Sequence, residues 1–184
     1  MNIETNQLKN VACFPLAVGS QSTMIEFFCS SNDEITDTSS ANFNFSQSTY
    51  GGVMHWEGQK VQQVSIDDFV EREGISAVDL IKIDAEHYEL SVFEGMVKTV
   101  QKWRPVVLCE IFLDKERRLF FNSFVKTNGY FAYAVIHEGI VRLDEEITSN
   151  HDGLNFLFAP GRTSQVYTSF KEIDLIVTEL LKKI

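Results

Sequence analysis

The stretch Val78-Asp79-Leu80-Ile81-Lys82-Ile83-Asp84-Ala85-Glu86-His87-Tyr88-Glu89 decides the fold. Its apolar residues show no helical repeat and stop at Asp84, which reads as a strand ending at an acid. A helix from about Glu89 to Trp103 is expected next. There Phe93, Met96, Val97 and Val100 recur at i, i+3, i+4 and i+7 and make one apolar face. Pro105 opens a further strand, Val106-Val107-Leu108-Cys109, apolar on both sides and ending at Glu110-Ile111. Upstream, Val61 to Val64 reads as a strand, and Ser65 with Asp68 three residues on reads as a helix start that Gly74 ends. Two-sided apolar strands alternating with helices mark an α/β fold with a parallel sheet covered on both faces.

Outward from this centre the pattern changes. Asn2 to Leu8 reads as the tail of a helix. Val11 to Val18 is an apolar run expected as a buried strand, with Pro15 placing it at an edge or a bulge. Met24 to Cys29 is a second short strand. Residues 30–52 form a long polar stretch closed by Gly51-Gly52, open to reading as a substrate lid or as a surface excursion. Downstream, a helix from Lys115 to Thr127 stops at Gly129. The sheet then ends antiparallel, with Tyr130 to Ile136, Ile140 to Leu143 and Leu154 to Phe158. Residues 168–184 read as a last amphipathic helix, opened by Ser169 and Glu172 and striped by Ile173, Ile176, Val177, Leu180, Leu181 and Ile184. That stripe is expected to pack on the domain, a dimer interface being the alternative.

The chain has 184 residues, the size of one domain. Hydrophobic residues at 44% and charged residues at 23% are too apolar for disorder. The net charge of −10 argues against nucleic acid, whose phosphates need Lys and Arg, and against an anionic membrane surface. No apolar run reaches the roughly 18 residues of a membrane span, and the acidic, polar start does not resemble a signal peptide. Cys13 and Cys109 lie in apolar runs and read as small buried hydrophobes. Three cysteines cannot all pair, and no C-x-x-C occurs, so a reducing, cytoplasmic setting is expected.

Ligands of open α/β sheets bind outside the carboxyl ends of the strands. If the strands ending at Asp84 and Glu110 are neighbours, Asp84, Glu86 and Glu110 share one crevice. Crowded carboxylates raise one another's pKa, which makes one of them a candidate general base. His87 adds a group that titrates near neutrality. Asp84, Glu86 and Glu89 could instead serve the following helix, as a cap or through its dipole. A Mg²⁺ or Ca²⁺ site of Asp84, Glu86, His87 and Glu110 is chemically conceivable, but the spacing matches no metal motif, and no bound metal is expected. His55, His137 and His151 are scattered and read as solvated. There is no nucleophile elbow, Walker loop or G-x-G-x-x-G.

The spaced pieces Ser65-Ile66-Asp67-Asp68-Phe69, Val78 to Glu86, Glu89-Leu90, Phe93-Glu94-Gly95 and Arg104-Pro105 through Glu110-Ile111 resemble FkbM-type S-adenosylmethionine-dependent methyltransferases, in the family's order. Asn10 to Gly19 and Asn155 to Pro160 resemble its flanking strands. The resemblance implies a class I methyltransferase, a Rossmann-like, mostly parallel sheet with an antiparallel end. It implies S-adenosylmethionine as cofactor and a small-molecule hydroxyl acceptor, carbohydrate or secondary-metabolite-like. By the same resemblance Asp84, Glu86 and Glu110 are catalytic, Ala17, Val18 and Asp84 bind cofactor, and His87 borders the substrate.

Two departures qualify this. The family has Gly where this chain has His87. The Gly-rich turn that lets backbone approach the cofactor is also missing. The expected fold therefore lacks its first strand-helix-strand unit, roughly 30 residues or more. An unpaired sheet edge would follow, with homo-oligomerisation through that edge or the last helix. Two other readings stay open: a non-catalytic binding or assembly module on a degenerate methyltransferase fold, and a metal-dependent hydrolase on Asp84, Glu86 and Glu110.

Overall fold

The structure is a computed structural model, and it describes residues 2–30, 56–85, 87–137, 139–143, 146–148 and 154–161. Nearly all of the expected polar loop 30–52 and the whole of the expected helix 168–184 lie outside the described residues, as do Glu86, His55 and His151. In chain order the elements are α1 (Asn2–Thr5), β1 (Ala17–Val18), β2 (Thr23–Ser30), β3 (Trp56–Val64), α2 (Ile66–Arg72), β4 (Leu80–Ile83), α3 (Glu89–Glu94), α4 (Val97–Trp103), β5 (Val106–Glu110), α5 (Lys115–Asn128), β6 (Tyr130–Ile136), β7 (Gly139–Leu143) and β8 (Asn155–Pro160).

The strands form two sheets of mixed direction, ordered β1-β3-β2 and β4-β5-β8-β6-β7. β4 and β5 are parallel, with Leu80 opposite Val106 and Ile83 opposite Cys109. A helical crossover through α3 and α4 joins them, as the periodicity requires. β8 inserts antiparallel between β5 and β6, placing Phe158 opposite both Val107 and Ala132. The expectation of one mostly parallel sheet is corrected here. Among the described residues only the β1–β3 and β4–β5 pairs are parallel, and no described strand joins β4 to the three-stranded sheet. Among the described residues β4 is paired on one side only, and Leu80 stays exposed.

The core lies between the five-stranded sheet and its helices. Phe93 meets Phe121, Phe124 and Phe158 edge-on at 5.0, 4.9 and 5.8 Å, the geometry that aromatic quadrupoles favour. The Tyr130 hydroxyl donates to the Pro105 carbonyl at 2.8 Å, and burial pushes its phenol up to about 12. Cys109 is fully buried, and desolvation raises its thiol far above the ordinary range.

Four further expectations change. Of the run Val11 to Val18, only Ala17 and Val18 pair in a sheet. Val11 and Phe14 are exposed, Phe14 resting edge-on against Phe69 at 4.8 Å, and Cys13 is exposed rather than buried. Pro15 has no N–H to give a ladder, so the pairing begins only beyond it. The single helix Glu89 to Trp103 is two helices, broken at Gly95-Met96. A Cβ on Gly95 would stand 2.1 Å from the Gly19 carbonyl oxygen, so the chain bends where the β1 turn presses on it. Val97, placed by its spacing on the apolar face, is nearly half exposed because α4 starts afresh beyond that bend.

Candidate functional site

The segment after β4 is held as a shaped loop. Asp84 and Ala85 leave the strand, His87 has φ +75°, and α3 starts at Glu89 behind Tyr88, whose side chain makes no capping bond. Asp84 therefore does not cap α3. Its Oδ2 accepts from Lys82 Nζ at 3.0 Å, while Lys82 also donates to the Ile83 carbonyl at 3.3 Å. Glu89 does not serve its helix by a cap either. It turns back so that Oε1 accepts from the His87 N–H at 2.8 Å.

The parallel pairing of β4 with β5 brings their carboxyl ends together. Asp84, His87, Glu89, Glu110, Phe112 and Leu154 line one cavity of about 100 Å³. Of the residues singled out in the sequence, Asp84, His87 and Glu110 thus meet in one place. Glu86 is outside the described residues. Among the described residues, no group of three or more His, Cys, Asp or Glu side chains is placed to hold a metal ion. His137 is exposed at the end of β6.

Ala17 and Val18 do not line this cavity, but their turn is tied to its walls. Gly19 N donates to the Val64 carbonyl at 3.1 Å, and Ser20 N donates to Ser91 Oγ on α3 at 3.0 Å. Gln63, buried at the end of β3, donates to the Gln21 carbonyl at 2.8 Å and accepts from the Tyr88 hydroxyl at 3.0 Å. One side chain thus links the turn after β1 to the loop at the cavity.

Several of the spaced motif residues turn out to build the frame. Asp67 accepts from the N–H groups of Lys98 and Thr99 at 2.9 and 2.8 Å and from the Thr99 hydroxyl at 2.7 Å, and so caps α4 from another element. Asp68 accepts from Ser22 Oγ at 2.5 Å, and this bond above all holds its carboxyl below its ordinary value. Arg104 donates to the carbonyls of Asn128 and Gly129 at 2.9 and 3.0 Å, closing the exposed end of α5.

Two larger clefts lie elsewhere. One of about 280 Å³ between α4 and α5 is lined mainly by Phe93, Val97, Phe120 and Phe124, with no titratable pair. The other, of about 440 Å³, lies between α2 and α4, where Asp67 and the Trp103 indole already have partners within the protein. The small cavity at the strand ends gathers three acids and a histidine, Asp84, Glu89, Glu110 and His87, whereas the cleft between α2 and α4 mixes Asp67 and Glu71 with Lys98 and Lys102. Glu89 and Phe112 line the small cavity, Arg117 holds two of its lining residues, His87 and Glu89, and none of the three was legible as such. Glu89 reads equally as a helix-dipole residue, and Phe112 and Arg117 sit beyond the strand with no periodicity to mark them.

An α/β protein with acids gathered at the ends of neighbouring parallel strands is the class that fold and site define. Residues 2–180 match the methyltransferase FkbM domain, so the chain belongs to the FkbM methyltransferase family. No curated protein matches it, and no solved structure does.

Proposed function

We propose that this chain is an S-adenosylmethionine-dependent O-methyltransferase of the class I, Rossmann-like type. Its acceptor would be a hydroxyl on a sugar or a secondary-metabolite-like small molecule, and its setting cytoplasmic, from its cysteine usage. The observation that carries the reading is the meeting of Asp84 and Glu110 in one cavity at the ends of β4 and β5 in a chain of this family. The donor set fits the cofactor, since carboxylates suit both ribose hydroxyls and a sulfonium charge. When bound, the cofactor supplies an electrophilic methyl group. In this reading Asp84 stands at the junction of cofactor and acceptor. Glu110, together with Glu86, orients the acceptor hydroxyl and takes its proton. Ala17 and Val18 border the adenine, and His87 borders the acceptor.

Calorimetric titration with S-adenosylhomocysteine tests this. Micromolar binding, weakened at least tenfold in Asp84→Asn, is the expected result. Absence of binding by the intact chain overturns the reading. A second reading, a non-catalytic assembly module, is favoured by one observation, the one-sided pairing of β4 among the described residues. It predicts a stable oligomer with no heat of cofactor binding, and light scattering beside the titration separates the two.

A further inference from the structure

His87 is not glycine, yet its backbone is left-handed at φ +75°. A non-glycine residue holds that conformation only where its surroundings over-determine it. The surroundings here are one buried charge, Glu89, and one half-buried charge, Arg117. Glu89, its side chain 4% exposed, accepts from the His87 N–H at 2.8 Å. Arg117, its side chain 15% exposed, donates through Nη2 to the His87 carbonyl at 2.9 Å. The two also face each other, with Arg117 Nε 3.6 Å from Glu89 Oε2. Asp114, which caps α5 by accepting from the Arg117 N–H at 2.8 Å, also binds the Arg117 guanidinium. Both peptide groups flanking the His87 Cα are thus gripped, one from α3 and one from α5. The imidazole is left exposed at the cavity, edge-on to Phe112 with ring centroids 6.1 Å apart.

We infer that Arg117 is a positioning residue: with Glu89 it clamps the His87 backbone in a left-handed turn and so fixes the imidazole at the mouth of the Asp84–Glu110 cavity. Only a planar fork of several donors can span a carbonyl and two carboxylates at once, so lysine is no substitute. The clamp opposes a conformational cost that glycine would not have. Keeping histidine under that strain makes sense for a ring that contacts a ligand. This ligand role alone rests on the methyltransferase reading.

A double-mutant cycle on the full chain tests the clamp by thermal melting, without cofactor or acceptor. His87→Gly alone is expected to raise Tm by roughly 2 °C, since glycine adopts this φ freely. Arg117→Lys, which keeps the charge, is expected to lower Tm in both backgrounds, and clearly less with His87 than with His87→Gly, because a released histidine recovers the conformational cost that glycine never carried. Arg117→Met is the harsher form of the same cycle. Equal losses in both backgrounds, or a fall in Tm for His87→Gly, overturn the inference. A readout that general destabilisation would not move is the NMR signal of the His87 ring. Phe112 shifts it in the wild type, and in folded Arg117→Lys it should move toward the position of a free histidine. An unmoved signal counts against the clamp. Because neither measurement uses a cofactor, failure here leaves the titration with S-adenosylhomocysteine to judge the methyltransferase reading separately.

Discussion

At the scale of single residues, this protein spends its charged side chains on geometry. Asp67, Asp68, Arg104, Glu89 and Arg117 each satisfy backbone or hydroxyl groups on an element other than their own or across a turn. Gly95 shows how strict that geometry is. Its Cβ position lies 2.1 Å from the Gly19 carbonyl oxygen and 3.2 Å from the Ser20 Cα, both backbone atoms that cannot rotate away. Gly95→Ala should therefore destabilise the fold by about 2–3 kcal/mol, the cost of overpacking. Chemical denaturation would show this as a lower midpoint. A midpoint equal to the wild type's would mean that the β1 turn is not seated on α3. Asp114 offers a pH test. Its bonds from Arg117 hold its carboxyl below the ordinary 3.8 in the folded chain. A depressed folded pKa contributes stability above pH 3.8 and loses it as pH falls toward the folded value. Melting temperatures measured downward from pH 5 should fall more steeply in the wild type than in Asp114→Asn. Parallel curves would sink the assignment.

At the scale of elements, local signals and tertiary contacts divide the work. Ser65 caps α2, its Oγ accepting from the Asp68 N–H at 3.1 Å, and Gly129 takes the left-handed position after α5 at φ +63°. Ser65→Ala should cost about 1 kcal/mol, as loss of an N-cap does, with α2 amides exchanging faster than those of α5. Phe121 belongs to the opposite class. It is fully buried against Phe93 and stacked on Phe158, so Phe121→Ala should cost about 3–5 kcal/mol. Both elements were legible, because caps and apolar runs are local chemistry. The break between α3 and α4 was not. Phe93, Met96, Val97 and Val100 keep the helical repeat across it, and only the approach of Gly19 from a distant turn explains why the helix stops.

At the scale of the whole molecule, the sheet arrangement decides where chemistry can sit. The parallel β4–β5 pair opens the cavity at its carboxyl end, and the same β4 presents an edge with no described strand beside it. Lys82 lies in that edge strand, its ammonium folded onto the Ile83 carbonyl and Asp84, and a charge of this kind discourages strand addition. Lys82→Val should raise the tendency to self-associate, seen by light scattering as mass growing with concentration. No change in mass would show that the edge is already covered. Hydrogen exchange adds a direct check, since amides of β5, paired on both sides, should outlast those of β4.

How much of this lay in the sequence follows from range. The strands from β2 onward, the caps and the two acids at strand ends were readable because alternation, capping and turn chemistry act within a few residues. The family resemblance was readable because its spaced pieces keep their order. The division into two sheets, the exposure of Cys13, the bend at Gly95, the return of Glu89 onto His87 and the reach of Arg117 were not. Each depends on which distant segment arrives beside a residue, and that is settled by packing and by the satisfaction of buried polar groups across the whole fold.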